Sequence, residues 1–289
     1  MRMRGFTLVE LVMVIVITGV IAASATVFFK PAIDSYFDAR RRAMLTDIAD
    51  TALRRMGRDV RSAVPNSVRS PNSQCFEIIP TSGGGRYRSA SDSANDAPGC
   101  APSATCSAPL NLNQPAIQIF DSLSPLATAP AVNDYVVIDN QNTNDVYAGS
   151  NRAQISAVAT PARVTDGLHR ITVASTQFPS GYDGYRFVIV PNAQRAVFYS
   201  CVGTGLDAQG NGTGVLYRAS NYGFNAAYPA TCPGAGGDIL AKRIKSCNFI
   251  YSASQDATQQ NGFVWMQLEV AEANETASLS YGAHVDNVP

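Results

Sequence analysis

The sequence predicts an α+β fold in which a long N-terminal helix, first membrane-spanning and then amphipathic, packs on an antiparallel β-sheet head. Three observations support this prediction. Residues 6–29 form an apolar run with a single charged side chain, and residues 30–64 repeat apolar side chains at helical intervals. Beyond residue 110, short β-type runs alternate with turn residues. The 289 residues suffice for one sizeable core or two small ones.

The composition is that of a folded protein without a bulk charge. Apolar residues make up 46% of the chain, and charged residues make up 15%, well below the usual ~25%. The 22 basic and 22 acidic side chains balance. Because no net field attracts the chain to a polyanion, we expect no nucleic-acid partner.

The apolar run at residues 6–29 is long enough to cross a membrane. As a helix it would span about 36 Å, against about 30 Å of bilayer hydrocarbon. Arg2 and Arg4 precede the run and Lys30 follows it. The short end that contains the arginines is expected to stay in the cytoplasm. The head is therefore expected outside.

Two simpler interpretations compete for this run. A secretory signal peptide would be cut after Ala25, within the sequence Ala-Ser-Ala, but the run exceeds the usual length of about 7–15 apolar residues and contains Glu10. A plain membrane anchor would leave Glu10 as an unexplained cost of a few kcal/mol near the membrane. Neither interpretation accounts for the carboxylate.

The order Gly-Phe-Thr-Leu-Val-Glu-Leu at residues 5–11 resembles the processing motif of type IV pilins and of the pseudopilins of type II secretion systems. The resemblance implies that a prepilin peptidase removes residues 1–5 as a leader, by cutting after Gly5, and methylates the new amino group of Phe6. It also implies that Glu10, then the fifth residue, pairs with the amine of a neighbouring subunit during assembly. A paired carboxylate specifies alignment, whereas an unpaired one is costly to bury.

The pattern of residues 30–64 predicts an amphipathic continuation of the same helix. We expect one helix over residues 6–64, kinked near Gly19 or Pro31 and ended by Pro65. Its apolar stripe consists of Ile33, Phe37, Met44, Leu45, Ile48, Ala49, Ala52, Leu53, Met56, Val60 and Val64.

The opposite face of this helix is charged. It includes the arginine run at residues 40–42, which is expected to be exposed either as a solvated face or as an electrostatic contact with the next subunit. The spacing also predicts two ion pairs one turn apart, Asp38 with Arg42 and Asp50 with Arg54.

The head, residues 65–289, is predicted to be rich in β-strands. Runs of Val, Ile, Tyr and Phe separated by turn residues predict hairpins and an antiparallel sheet whose open face is covered by the helix. Residues 81–109 are dominated by Ser, Gly, Ala and Pro and predict a long, flexible surface insert. The predicted strands are residues 116–120, 135–139, 169–174, 185–190, 196–202, 215–218, 239–251 and 263–270.

Six cysteines lie beyond the apolar run, and none forms a C-x-x-C pair. This pattern favours disulfides in an oxidising compartment over zinc. Local spacing favours a bridge from Cys75 to Cys100 or Cys106. It also favours a bridge from Cys201 to Cys232 or Cys247, and a pairing between the two groups stays open.

No catalytic or nucleotide-binding motif is found in the sequence, and His169 and His284 are far apart in it. We expect a protein that is not an enzyme and has no cofactor or metal. Residues 207–212 resemble half of a calcium loop but lack its final glutamate, and residues 140–145 have little negative charge, so both are predicted to be turns. Tyrosines and asparagines at residues 217–228 suit either a carbohydrate-binding surface or a sheet edge with its loop.

Several stretches of the head narrow the resemblance, at residues 186–191, 198–201, 216–218, 221–225 and 284–289. They resemble the MshO-type minor pilins of the mannose-sensitive haemagglutinin pilus, which are related to J-type pseudopilins. The resemblance implies a minor pilin that helps to initiate type IV pilus assembly and sits at the pilus tip. A type II secretion pseudopilin and a glycan-binding tip adhesin are the alternatives.

The same resemblance implies partners and a location. The partners are the prepilin peptidase, other major and minor pilins, the inner-membrane assembly platform and the membrane that holds the N-terminal helix. The location is the bacterial inner membrane with a periplasmic head, and then the pilus or cell surface.

Overall fold

The chain begins with one long helix, α1 (Leu8–Arg61, 54 residues), in the computed structural model, which describes residues 7–113, 116–181, 184–252 and 261–286. α1 continues through the positions of Gly19 and Pro31, where a kink was expected. It ends before the expected residue 64 because Val64 donates its backbone N–H to Ile79 and so joins the β-structure.

Only the C-terminal part of α1 lies in the core. Its buried residues begin at Leu45. Ile33, Phe37 and Met44, which the apolar stripe placed in the core, are 52%, 46% and 42% exposed. That part of the prediction is wrong because the apolar packing of the head begins at Leu45, and before this residue α1 meets the head through the ion pair of Arg42 with Glu275. The projecting part of the helix, residues 8–44, is called the stalk below.

Thirteen strands follow α1 in the described residues. They are β1 (Arg69–Asn72), β2 (Cys75–Ile78), β3 (Gly83–Arg86), β4 (Ala116–Ser122), β5 (Tyr135–Val137), β6 (Arg152–Ala159), β7 (His169–Thr176), β8 (Arg186–Val190), β9 (Val197–Val202), β10 (Gly214–Ser220), β11 (Asp238–Ser252), β12 (Asn261–Glu272) and β13 (Glu275–Asp286). A short helix, α2 (Asp145–Ala148), and two 3₁₀ turns, Val164–Asp166 and Asn192–Gln194, lie between strands.

These strands form two antiparallel sheets. The first has seven strands in the order β1-β2-β9-β10-β11-β12-β13, and the second has six in the order β3-β8-β5-β6-β7-β4. The C-terminal part of α1 packs on β11, β12 and β13 of the first sheet. Gly57 is needed at this contact because a Cβ there would collide with the ring of Tyr281.

The α+β class and the helix-on-sheet packing are confirmed, and each of the eight predicted runs overlaps an observed strand. The expectation of one sheet is wrong. β3 to β8 pair with one another and not with the C-terminal strands, so the middle of the chain forms a sheet of its own. Such pairing depends on contacts between distant segments, which local patterns do not encode.

Each sheet has its own apolar core, and a third apolar cluster joins the two. The joining cluster contains residues from the segment that follows α1, from β5 and β8, and from α2. Its buried members are Val64, Ile79, Val137, Val146, Tyr147, Val190 and Ala196. This shared packing holds the two sheets together.

The insert at residues 81–109 is packed against the second sheet over part of its length. Residues 83–86 form β3 where a loop was predicted, and Tyr87 is buried beneath Phe120. Farther along, Asp96 forms an ion pair with Arg163, and its carboxylate accepts hydrogen bonds from Ser107. The insert is thus attached to the sheet at both ends.

Candidate assembly site

The N-terminus of α1 is built around Thr7 and Glu10, which form a reciprocal cap. The backbone N–H of Glu10 donates to Oγ1 of Thr7 at 3.3 Å, and the backbone N–H of Thr7 donates to Oε2 of Glu10 at 3.1 Å. This arrangement satisfies backbone donors that have no partner within the helix. Gly5 and Phe6, the predicted cleavage and methylation residues, lie outside the described residues.

Glu10 is the one charged side chain between Leu8 and Phe29, and it is exposed. Within the described residues, the carboxylate of Glu10 accepts hydrogen bonds from the backbone N–H and the hydroxyl of Thr7 and from no other group. Among the described residues, the next basic side chain along the chain is Lys30, about 30 Å away at 1.5 Å per residue. A counter-charge for Glu10 therefore has to come from outside the described part of this chain.

The rest of this segment suits a lipid environment. α1 is the one helix in the described residues that is long and apolar enough to span a membrane, with a mean hydropathy of 2.5 in its most apolar window. The hydroxyls of Thr18, Ser24 and Thr26 each donate to a carbonyl one turn earlier in α1. These polar groups are thus satisfied within the helix, as lipid requires.

The charged face of α1 differs from the prediction in one pair. Asp50 and Arg54 pair at 2.6 Å, as expected. Asp38 pairs instead with Arg41, and Arg42 reaches across to Glu275 at the start of β13. Arg42 pairs with Glu275 because α1 lies against β13. The sequence pattern along the helix could not predict this contact.

A second set of contacts fixes α1 to the sheet. The carboxylate of Asp59 accepts hydrogen bonds from Tyr199 at 2.5 Å and from Arg218 at 2.9 Å. Burial and the nearby Asp59 carboxylate raise the pKa of Tyr199, which therefore stays a neutral donor. Arg61 lies over the ring of Tyr281 and donates to its hydroxyl. The stalk is thus held at a defined orientation relative to the head.

Three disulfides occur in the described residues, and they use all six cysteines. Cys201 pairs with Cys247, one of its two expected partners, and links β9 to β11. Cys100 pairs with Cys106 inside the insert, and Cys75 pairs with Cys232, 157 positions away. The predicted bridge from Cys75 to Cys100 or Cys106 is therefore wrong, because the fold brings the loop before β11 next to β2.

Sequence reasoning missed a buried ion pair in the head. Arg69 and Glu77 meet at 2.5 Å, and their side chains are 0% and 2% exposed. Arg69 also stacks on Tyr147, and it donates to the carbonyls of Asn225 and Ala227. Burial raises the pKa of Glu77, and hydrogen bonds from Tyr222 and Arg69 oppose that shift. This cluster joins the first sheet to α2 and to residues 221–228.

The aromatic residues proposed for carbohydrate contact are engaged in this cluster. The hydroxyl of Tyr222 donates to Glu77 at 2.6 Å, and the hydroxyl of Tyr228 accepts a hydrogen bond from the backbone N–H of Ser70. Their polar ends are therefore used to close residues 221–228 over β1 and β2. The structure favours the sheet-edge interpretation for these two residues.

The two calcium candidates also direct their oxygens inward. The carboxylate of Asp207 accepts three hydrogen bonds from its own turn, from Gln209 and Asn211. In the second loop, Asn144 accepts from Arg69 and Asp145 caps its own turn. Asp96, Cys100 and Cys106 lie close enough to share an ion, but both sulfurs are in a disulfide. His169 and His284 lie in different sheets.

The sequence matches the prokaryotic N-terminal methylation motif over residues 1–26. No curated protein and no solved structure matches the chain. The matched segment includes Gly5, Phe6 and Glu10 and ends inside α1, so the resemblance of the head to MshO-type minor pilins stays a prediction. The motif and the fold together support a structural protein of the type IV pilin or pseudopilin kind, with an N-terminal helix suited to membrane anchoring.

Proposed function

We propose that this chain is a minor pilin that helps to initiate type IV pilus assembly and sits at the pilus tip. The observation that supports the proposal is the continuity of the methylation motif with a helix whose most apolar window contains no buried residue. An exposed apolar helix of this length requires lipid before assembly and other helices afterwards.

The proposed assembly chemistry centres on a charge pair. Cleavage after Gly5 frees the amine of Phe6, which is then methylated and remains positively charged. Glu10 has no cation near it in the described part of its own chain. The carboxylate of Glu10 therefore pairs with the amine of a neighbouring subunit, and this pairing sets the axial position of the incoming helix.

The proposed partners and location follow from this chemistry. The prepilin peptidase processes the chain, and the inner-membrane assembly platform moves it from lipid into the filament, where it contacts major and minor pilins. The head is periplasmic before assembly and lies on the pilus or cell surface afterwards. The protein has no catalytic role in this scheme.

The size of the head favours a minor pilin over a repeated shaft subunit. The described part of the head contains two sheets and three disulfides, and a head of over 200 residues is bulky for packing at every position of a thin fibre. A pseudopilin of type II secretion is the runner-up because it shares the N-terminal motif. Deleting the gene separates the two: a minor pilin mutant loses surface pili and still secretes its exoproteins, whereas a pseudopilin mutant retains pili and accumulates exoproteins in the periplasm.

Mass spectrometry of the mature N-terminus tests the processing step. We expect a chain that begins with methylated Phe6, and we expect Gly5→Val to leave a precursor that is heavier by the five leader residues, because a bulky side chain obstructs the peptidase. Ala25→Val serves as the matched control, since it alters the alternative signal-peptide site. A mature chain that begins at Thr26 contradicts the proposal.

A further inference from the structure

The ribbon formed by β11, β12 and β13 has an outer face, opposite α1, that carries aromatic and amide side chains. Across the strands, Ile250 lies opposite Trp265, and Trp265 lies opposite Gly282. The adjoining row places Asn248, Gln267 and Ser280 side by side in the same way. None of these side chains is buried, and Ile250 is 51% exposed. These residues, together with Phe263, are called the ribbon face below.

Glycine shapes the aromatic part of the ribbon face. A Cβ at Gly282 would collide with the ring of Phe263, so Phe263 lies across the third strand where a side chain would otherwise stand. The ring of Phe263 also contacts the exposed His284, with 5.0 Å between ring centroids. Trp265 and Phe263 thus form a broad aromatic surface over three strands.

The polar groups beside this surface are available to a ligand. Within the described residues, the side chains of Trp265, Asn248 and Ser280 make no hydrogen bond. Gln267 makes one, to Ser278 at 3.1 Å. Glu269, two residues from Gln267 along β12, is neutralised by Lys245 at 2.7 Å. The ribbon face therefore offers donors and acceptors without a net charge, which favours an uncharged partner.

The extent of the ribbon face argues against a protein partner. Three strands about 4.8 Å apart and three rows about 7 Å apart give nine positions of about 34 Å² each, roughly 300 Å² in all. A stable protein interface covers about 800 Å² on each partner. The ribbon face has the size of a short oligosaccharide, and its area is less than half of what a stable protein interface covers.

We propose that the ribbon face binds a neutral glycan. The apolar face of a sugar ring stacks on Trp265 and Phe263, since the electron-rich face of an aromatic ring attracts C–H groups. The hydroxyls, which both donate and accept, match the amides of Asn248 and Gln267 and the hydroxyl of Ser280. This site differs from residues 217–228, and it adds a ligand to the assembly role without depending on it.

The single tryptophan of the chain makes the site directly observable. Full-length mature protein in lipid nanodiscs is titrated with neutral oligosaccharides of hexoses and N-acetylhexosamines while Trp265 emission and its quenching by acrylamide are recorded. We expect a saturable emission change, with reduced quenching, for at least one oligosaccharide. Asn248→Ala and Gln267→Ala keep the tryptophan and are expected to weaken binding about fivefold each.

A second readout removes the aromatic surface. Trp265→Ala is assayed by equilibrium dialysis with the labelled oligosaccharide and is expected to abolish binding. Tyr217→Ala, which removes a partly exposed aromatic ring from β10, serves as the control and is expected to bind normally. If Trp265→Ala fails to fold, the binding measured for Asn248→Ala and Gln267→Ala decides whether the ribbon face is the glycan site.

Three outcomes overturn the proposal. The first is that no oligosaccharide of the panel changes the emission of Trp265. The second is that both amide variants bind as the wild type does, and the third is that Tyr217→Ala loses binding. If the ribbon face binds another pilin and no glycan, its ligand is a protein and the glycan proposal is wrong. Piliation of the same variants is measured separately, and normal piliation in Trp265→Ala shows that the assembly role stands apart from the ligand.

Discussion

Two glutamates show how environment assigns a role to the same side chain. Glu77 is buried against Arg69 and Tyr222, so its charge is used inside the head, where it fixes β1 and the loop after β10 to β2. Glu10 is exposed in an apolar helix, and the described part of the chain supplies it with hydrogen bonds from Thr7 and no cation. A carboxylate that is costly to bury and has no internal partner is suited to pairing between subunits.

The capping geometry allows the charge of Glu10 to be separated from its hydrogen bonds. Glu10→Gln keeps an oxygen that accepts from Thr7, so the cap persists while the charge is lost. Glu10→Val removes both. If pairing with a neighbouring amine drives assembly, both variants are processed normally, as seen by mass spectrometry, and both lose incorporation into pili at least tenfold.

Immunoblots of sheared pili measure the incorporation of each variant. Glu10→Asp, which keeps the charge on a shorter side chain, is the matched control and is expected to retain part of the wild-type incorporation. Wild-type piliation in Glu10→Gln would mean that the cap, and not the charge, is what assembly requires. Helix content by circular dichroism should be unchanged in every variant, because one cap contributes little to a helix of this length.

At the scale of elements, the insert is attached by charge as well as by strand pairing. Arg163 forms ion pairs with Asp96 of the insert and with Asp166 beside the second sheet. Hydrogen bonds from Arg163 and Ser107 hold the pKa of Asp96 well below its usual value. A carboxyl group whose folded pKa is lowered stabilises the folded state when ionised, so its contribution is present above about pH 4 and is lost as pH falls.

We therefore predict that acid loosens the insert. Asp96→Asn should accelerate hydrogen exchange of residues 88–107 at neutral pH, because it removes the charge that pairs with Arg163. The difference between wild type and variant should shrink steadily below about pH 4, because the opened insert then takes up a proton on Asp96 while the closed insert keeps this carboxylate ionised to lower pH. Wild type and variant are compared at equal pH, so the pH dependence of the intrinsic exchange rate is the same for both.

Asp238→Asn is the control for this experiment, since the side chain of Asp238 is exposed and makes no hydrogen bond or ion pair within the described residues. It should exchange like the wild type at every pH. A difference between Asp96→Asn and wild type that persists unchanged at about pH 2.5 would show that the ion pair does not fasten the insert.

Local patterns found most of the elements but few of the connections between them. The runs that became β4 and β5 and β7 to β12 are rich in β-branched and aromatic residues, whereas β3 consists of three glycines and an arginine and reads as a loop. The buried Arg69–Glu77 pair and the Cys75–Cys232 bridge arise from contacts between distant segments. At the candidate site, residues 5–11 were recognisable because the motif is local, and the ribbon face was not, because it depends on strand register.

At the scale of the whole molecule, α1 serves two environments in succession. Its stalk is exposed and apolar, and its last four turns complete the core of the first sheet. The same helix therefore transmits a displacement of its membrane-spanning part directly to the head. The contacts of Asp59 with Arg218 and Tyr199 make that connection stiff.

This division predicts different outcomes for two truncations of the chain. A chain that begins at residue 32 loses the membrane-spanning part and keeps every buried residue of α1, so it should be soluble and monomeric with all three disulfides formed. A chain that begins at residue 58 also loses Leu45, Leu53 and Met56. Burying such side chains contributes about 1.5–3 kcal/mol each, a large share of a total stability of about 5–15 kcal/mol.

The second truncation should therefore be insoluble or unfolded, although its sheets are intact in sequence. Size-exclusion chromatography and thermal unfolding of both products measure the difference, and non-reducing mass spectrometry checks the disulfides. A chain beginning at residue 45, the first buried position, is the matched intermediate and should behave like the longer one, because residues 32–44 add no buried side chain. If the chain from residue 58 folds as stably as the chain from residue 32, the helix is a detachable anchor and the stiff connection between membrane and head does not exist.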